Sequence, residues 1–547
     1  MTTEEPTPIR KIMAPLARQL AESAAEQVGA CVRPFAVRRI DNETGEKIVI
    51  PIPCGSTRTS VCPSCAVRAK RLRMHQAREG WHLTEEPRIE TEEPTVHQQA
   101  MLGQIADLTE ARAHADASGD TARSAALSAE IDQAEQVLRH NGIRGSMPTE
   151  ENERQEEKPK RARSTRRRQD APNLPRQKVA DTTTGRVYEA PDGKTYRPST
   201  FVTLTLPSYG RVHGDGTPVD PDSYDYRSAA RDAIHFGSLV DRFWQNLRRA
   251  AGWNVQYFAA VEPQRRLAMH LHAAVRGTIP RKLMRQVAEA TYHQVWWPEH
   301  DEPLYTNELP VWDEQAETYV DPHTGARLST WDEAIEATFD QNARPAHVAR
   351  FGHRGIDVQG VVGNSEKSGK CLGYLVKYLT KDIGEVYEPD STRQRQHMDR
   401  LADTMRYQPC HETCANWLRY GIQPKNAKAG MVPGQCRRKA HRPTNLGYAG
   451  RRCLVSRKWS GRNLAEHRTQ RREHVLRVLG AAGANVQQST EEDPEGTRYR
   501  WEPIHTGDPD QPNRTDLLLR SIAQQRRWRH QYDQAKHSAT ETEGRAA

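Results

Sequence analysis

Long apolar runs are missing from this chain. None approaches the roughly 20 residues a helix needs to cross a bilayer, so no membrane partner is expected. The opening residues, MTTEEPTPIRKIMAP, hold no apolar core of the signal-peptide kind, and a cytoplasmic location is expected. A phosphate loop of the GxxxxGK[ST] type is also absent. Apolar residues are only 36% of the 547, and mean hydropathy is −0.87, so much of the chain is expected to be solvated or disordered. Nine cysteines in a cytoplasmic chain point to metal ligands or free thiols rather than disulfides. An acidic excess is lacking too. Lys+Arg 80 against Asp+Glu 71 gives +9, which suits a polyanionic partner without identifying one.

Composition divides the chain into five segments: 1–83 with a first cysteine cluster, 84–184, 185–400, 401–465 with a second, and 466–547. In the first, Ile12, Leu16, Leu20 and Ala24 are spaced as on a helix. Cys62-Pro-Ser-Cys65 holds two thiolates at the spacing a tetrahedral zinc ion takes, where roughly 0.15 such pairs are expected by chance. Cys31 and Cys54 complete a four-thiolate set, and Arg68, Lys70, Arg71 and Arg73 follow at once. Residues 98 to 140 read as a helical hairpin broken at Ser118-Gly119-Asp120. The charged stretch 147–178 reads as a solvated or disordered linker that can also hold DNA phosphates. In the fourth segment Cys410, Cys414, Cys436 and His441 fit a Cys3His zinc site. There His411 is an alternative ligand and Cys453 a spare. The strong basicity around them, with Arg437-Arg438-Lys439 between Cys436 and His441, suits a DNA face or the solvated surface of a structural knuckle. The end of the chain reads as a helix at 466–481, an edge strand at 497–501, a helix at 517–534 and a disordered tail.

Between the clusters the pattern is of alternating strands and helices. Phe201-Val-Thr-Leu-Thr-Leu206 alternates apolar with threonine and stops at Pro207, which reads as a strand. Gln256–Glu262 and Met269–Val275 form two more strands joined by a short turn, with helices at 226–250, 280–298 and 373–382. The fold class expected is α+β, an antiparallel sheet with helices on one side, accompanied by zinc knuckles and disordered linkers.

Two features carry chemistry. His270 and His272 are two apart on a strand, so both imidazoles share a face while Leu271 points into the core. Glu262 lies across the hairpin, giving two imidazoles and a carboxylate for a divalent metal with open positions. With 22 histidines, about one H-x-H pair arises by chance, so the strand context rather than the pair distinguishes it. Downstream, Tyr374, Lys377, Tyr378 and Lys381 fall on one helical stripe. A phenol has an ordinary pKa of about 10, and neighbouring ammonium charge favours its phenolate. An amphipathic surface helix has the same spacing, so the stripe gains meaning only beside the histidines.

FVTLTLP, EPQRRLAMHLHAAVRG and YLVKYLTKD resemble, in this order, the three motifs of the HUH endonucleases, and most closely the rolling-circle replication initiators of actinomycete plasmids and integrative elements. The likeness covers residues 185 to about 465, and tyrosines four apart are similar to the two-tyrosine subgroup. The resemblance implies that His270, His272 and Glu262 bind Mg2+ or Mn2+. It implies that Tyr378 attacks the scissile phosphate to give a 5′-phosphotyrosyl bond, and that Tyr374 acts in a second transfer. Lys377 and Lys381 would stabilise charge. It further implies single- and double-stranded origin DNA as partners, with a host helicase and polymerase supplying what the missing phosphate loop does not. Alternatives are a two-tyrosine transposase, a relaxase, a zinc-bearing DNA-binding regulator without catalysis, and an unrelated metal hydrolase using water.

Overall fold

A computed structural model describes residues 8–81, 83, 85–87, 96–140, 173–185, 187–189, 193, 195–196, 198–340, 342–353, 355–362, 365–377, 379, 387–481, 498–504 and 507–546. Contacts gather Met1–Pro87 and Ala171–Ala547 into one compact unit and Arg88–Asp170 into another. The smaller unit holds two helices, Val96–Ala117 and Thr121–His140. They close over Ile105 and Ile131, with Leu102, Leu108 and Ala134 alongside.

The larger unit is built on a five-stranded sheet. Its spatial order is Ile356–Val362, Pro198–Thr205, Met269–Val275, Tyr257–Pro263 and Cys453–Val455. Every pairing is antiparallel. Met269–Val275, the histidine strand, is central and buried along its whole length. Strand alternation then sorts the side chains. Val202, Leu204, Ala259, Val261, Leu271 and Ala273 face one way, into a core with Phe236, Leu239, Phe243 and Leu247 of the long helix Tyr226–Ala251. That helix is capped by Asp225, whose side chain accepts from Ser228 N, and it ends on left-handed Gly252. Phe201, Phe258, Ala260 and Ala274 face the other way. They pack with Leu372, Leu375 and Val376 of the tyrosine helix Glu366–Lys377 and with Ala77 and Trp81 of the knuckle helix Pro63–Trp81.

Helices therefore cover both faces of the sheet, not the single face expected. The sheet needs both because its central strands carry large apolar groups on either side. The expected helix 280–298 is a helix only at Arg281–Ala290. Tyr292–Val295 is a strand paired with His347–Arg350, since β-branched and aromatic residues there gain more from pairing than from a further turn. Cys453, read as a spare ligand, is an edge-strand residue opposite Ala260.

The five compositional segments are not five bodies. Tyr499–Pro503 pairs with Phe35–Asp41, in a small sheet completed by Lys47–Ile52. Leu518 and Ile522 of the last helix pack against Ala21, Ala25 and the first cysteine cluster. That helix runs from Arg514 to Ala546, through the tail expected to be disordered. Of the expected helix 373–382, residues beyond Lys377 other than Leu379 lie outside the described residues, as does most of the linker 147–178.

The knuckle helix is docked by one tryptophan. Trp459 is fully buried and donates from Nε1 to Gln76 O at 3.2 Å. A Cβ on Gly80 would come within 2.2 Å of its indole, so only glycine permits this approach. Arg276, directly after the histidine strand, donates to Gly80 O at 2.7 Å, placing a cation at the helix C-terminus. Its guanidinium also lies 5.3 Å from the Trp459 ring centre. Trp459→Ala is expected to destabilise the protein by about 3–5 kcal/mol, read as a urea midpoint shift. A loss below about 1 kcal/mol would show that the helix is held by other contacts.

Candidate functional site

The site begins with the register of the sheet. Glu262 pairs with His270 across the hairpin, and His270 and His272 pair with Thr205 and Thr203. Potential ligand atoms of Glu262, His270 and His272 all lie within 4.8 Å of one another. All three residues are buried, at 3%, 8% and 8% exposure. Glu262 Oε1 and His270 Nδ1 are buried without a hydrogen-bond partner. Unpaired buried polar atoms are costly, and two imidazoles and a carboxylate this close together fit a metal ion.

Burial also sets the charge states. It pushes the Glu262 carboxyl up to about 7, against the pull of Arg452 and Lys377. It holds His270 down to about 3, helped by His272, and His272 down to about 4, opposed by Asp357. Both imidazoles are neutral at pH 7, the form that offers a lone pair to a metal.

Tyr374 stands at the edge of this group. Its hydroxyl is 3.1 Å from His272 Nε2, and the two rings meet edge to face with centres 4.7 Å apart. On the far side of the imidazole, Thr203 Oγ1 is 2.9 Å from Nδ1. With Nδ1–H donating to Thr203, Nε2 faces the phenol with its lone pair, the tautomer a metal ligand requires. Tyr374 is 41% exposed, whereas Leu375 and Val376, its neighbours in sequence, are buried. The helical stripe expected of Tyr374 and Lys377 thus turns toward the histidines, and Lys377 is near enough to act on Glu262. Tyr378 and Lys381 lie outside the described residues.

Sequence reasoning missed Thr203, Arg452 and Asp357 as members of the site. Asp357 pairs with Thr203, which pairs with His272, so one cross-strand row carries all three. The signal was the threonine alternation of Phe201–Leu206, which marks the strand and also sets Thr203 opposite His272.

Both cysteine sets also come together. Sulfurs of Cys31, Cys54, Cys62 and Cys65 lie within 4.8 Å of one another. Cys54 N donates to Cys31 Sγ at 3.3 Å, and Cys62 and Cys65 sit at the start of the knuckle helix, whose first residue is Pro63. Cys410, Cys414, Cys436 and His441 form the second set; His411 is not part of it. His441 Nδ1 is 2.9 Å from Met405 O, which leaves Nε2, 3.5 Å from Cys414 Sγ, for a metal. Around it cluster Trp297, Trp331, Trp417 and Tyr420.

Comparison with known proteins adds the family. The family described as replication initiator protein, pSAM2, matches residues 17–524. That span takes in both cysteine sets, the histidine strand and Tyr374. A replication initiator protein of Streptomyces ambofaciens is 26% identical over 252 residues, covering 38% of this chain and 49% of that protein. The match thus spans about half the length of that relative. No solved structure matches. No described helix is long and apolar enough to cross a membrane.

Two measurements probe the site. Glu262 ionises near 4.5 when unfolded and near 7 when folded. Between these values the folded state binds the extra proton, so its contribution to stability falls as pH rises. In buffer without divalent cations, Glu262→Gln is expected to exceed the parent by about 1–3 kcal/mol at pH 8 and by little at pH 5. Urea denaturation at both pH values checks this, and a gap independent of pH would show that Glu262 does not titrate in this way. Thr203→Val is expected to weaken Mn2+ binding by about 10–100-fold with the fold retained, read by titration with Mn2+. Unchanged affinity would remove Thr203 as the group that orients His272.

Proposed function

Because this chain belongs to the pSAM2 replication initiator family, we propose that it starts replication by nicking and rejoining one strand of origin DNA through a tyrosine. The observation that carries the reading is the Tyr374 hydroxyl 3.1 Å from His272 Nε2, beside a buried Glu262, His270 and His272 set. A bound Mg2+ or Mn2+ would act there as a Lewis acid toward the scissile phosphate. Glu262, His270 and His272 would hold that ion. Thr203 fixes the tautomer of His272, and Lys377 favours the phenolate of the attacking tyrosine. The nucleophile is Tyr374 or Tyr378. Its O–H bond is lost, an O–P bond forms, the P–O3′ bond breaks, and the 3′ oxygen takes up a proton. The resulting 5′-phosphotyrosyl bond conserves the energy needed for rejoining. The second tyrosine acts in the closing transfer.

The antiparallel sheet with two histidines on its central strand supports an HUH-type reading. The two cysteine sets are assigned to structural Zn2+, each with four donors converging within 4.8 Å. Host helicase and polymerase complete the replication reaction, and the family match favours an initiator over a transposase or relaxase.

Labelled single-stranded origin DNA with Mn2+ is expected to give a labelled protein band on a denaturing gel. Tyr374→Phe or Tyr378→Phe should remove or weaken it. His270→Ala with His272→Ala should lower nicking by at least about 100-fold while duplex binding persists. DNA binding without any adduct, across several origin fragments and both metals, would leave a non-catalytic DNA-binding protein.

A further inference from the structure

A third convergence of metal-binding side chains lies away from the histidine strand. His75 and Glu79 are one turn apart on the knuckle helix, and His467 is on the helix Leu464–Ala481. Ligand atoms of the three lie within 4.8 Å of one another. Asn463 fixes the start of the second helix, accepting from Glu466 N at 3.0 Å, so His467 sits in its first turn, at 0% exposure.

The ring nitrogens carry the argument. His467 Nδ1 is 3.1 Å from Glu79 Oε2, and His75 Nδ1 is 3.5 Å from Glu79 Oε1. Both nitrogens are buried, yet neither makes a hydrogen bond. The other nitrogen of His467 is engaged, 2.8 Å from Ser460 Oγ. With Nε2–H donating to Ser460, the Nδ1 lone pair points into the cluster, which is the outer support that zinc-bound imidazoles usually have. Zinc–nitrogen and zinc–oxygen bonds of about 2.0–2.2 Å set tetrahedral ligand separations of roughly 3.3–3.5 Å. The two observed separations lie close to this range, although a hydrogen bond is not made at either.

We propose that His75, Glu79 and His467 form a third metal site, of the two-histidine, one-carboxylate kind that takes Zn2+. The site leaves a fourth position open. His75 lines a cavity of about 510 Å3 together with Arg71, Arg78, Gln470, Arg471 and Arg477. The arginines favour water, hydroxide or a small anion as the fourth ligand. Gln470 Oε1, buried without a partner, can accept from a metal-bound water. Closing the site fastens the helix Leu464–Ala481 to the knuckle helix. The inference is independent of the nicking reaction.

The test is a zinc count on the full-length, reduced protein, dialysed to equilibrium against buffered Zn2+ and measured by elemental mass spectrometry. His75→Gln and Glu79→Gln are each expected to carry one zinc fewer per chain than the parent. His75 is partly exposed, with 40% of its side chain accessible, and the Glu79 change is isosteric, so the fold is retained. The thiolate sets and the histidine strand are present in all three proteins, so the difference isolates this site. Added Zn2+ is also expected to raise the melting temperature of the parent more than that of either variant. Equal zinc contents in parent and both variants overturn the proposal, whatever the outcome of the nicking assay.

Discussion

The structure of this protein depends on the two-residue period of one strand. Met269–Val275 is central in its sheet and buried on both faces, so each position must commit to one side. Leu271 and Ala273 join the core under the long helix, and that choice forces His270 and His272 to the opposite face. A slip of one residue would exchange the two sets. It would bury both imidazoles among aliphatic side chains and take Glu262 out of register with them. The hydrophobic core therefore positions the polar site, and no separate interaction is needed to explain why the three side chains converge.

The knuckle helix links that site to the ends of the chain. Cys62 directly precedes it and Cys65 lies in its first turn. Its last turn is held by Trp459 and Arg276 against the sheet. Midway, Lys70 Nζ lies 3.3 Å from Lys377 O, at the end of the tyrosine helix. The same cysteine cluster packs on Leu518 and Ile522 of the last helix, and Phe35–Asp41 pairs with Tyr499–Pro503. One rigid element thus touches the cysteine cluster, the sheet and the tyrosine helix.

What could be read from sequence follows the range of the signals. Cys62-x2-Cys65, His270-x-His272 and the short turn back to Glu262 are local, and spacing alone placed them on one face or in one knuckle. The choice of His441 in the second cysteine set was also local, resting on a four-residue gap after Cys436. The pairing of residue 37 with residue 503 leaves no local trace, so the termini read as separate segments. Trp459 and Gly80 are likewise unremarkable until they are seen to touch. Cys453–Val455 is too short for periodicity to register, although it closes one edge of the main sheet. His75, Glu79 and His467 leave no joint signal in the sequence, because only two of the three share a helix. Thr203 is legible only as part of the alternation that marks its strand.

The exposures at the candidate site separate two tasks. Glu262, His270 and His272 are at most 8% exposed, while Tyr374 is 41% exposed and within hydrogen-bond reach of His272. Burial keeps the imidazoles neutral and makes the carboxylate costly to ionise alone. On the proposed reading, a divalent cation would reverse that cost by pairing with Glu262 and occupying histidine lone pairs that then need not accept protons. The phenol faces the opposite requirement. On the proposed reading it would attack a polymeric phosphodiester too large to enter a closed cavity, which suits its place at the rim. Lys377, on the same helix as Tyr374, is near enough to Glu262 to bring positive charge to the carboxylate. The helix that carries Tyr374 and Lys377 docks through Leu372, Leu375 and Val376, apart from the polar groups of the candidate site.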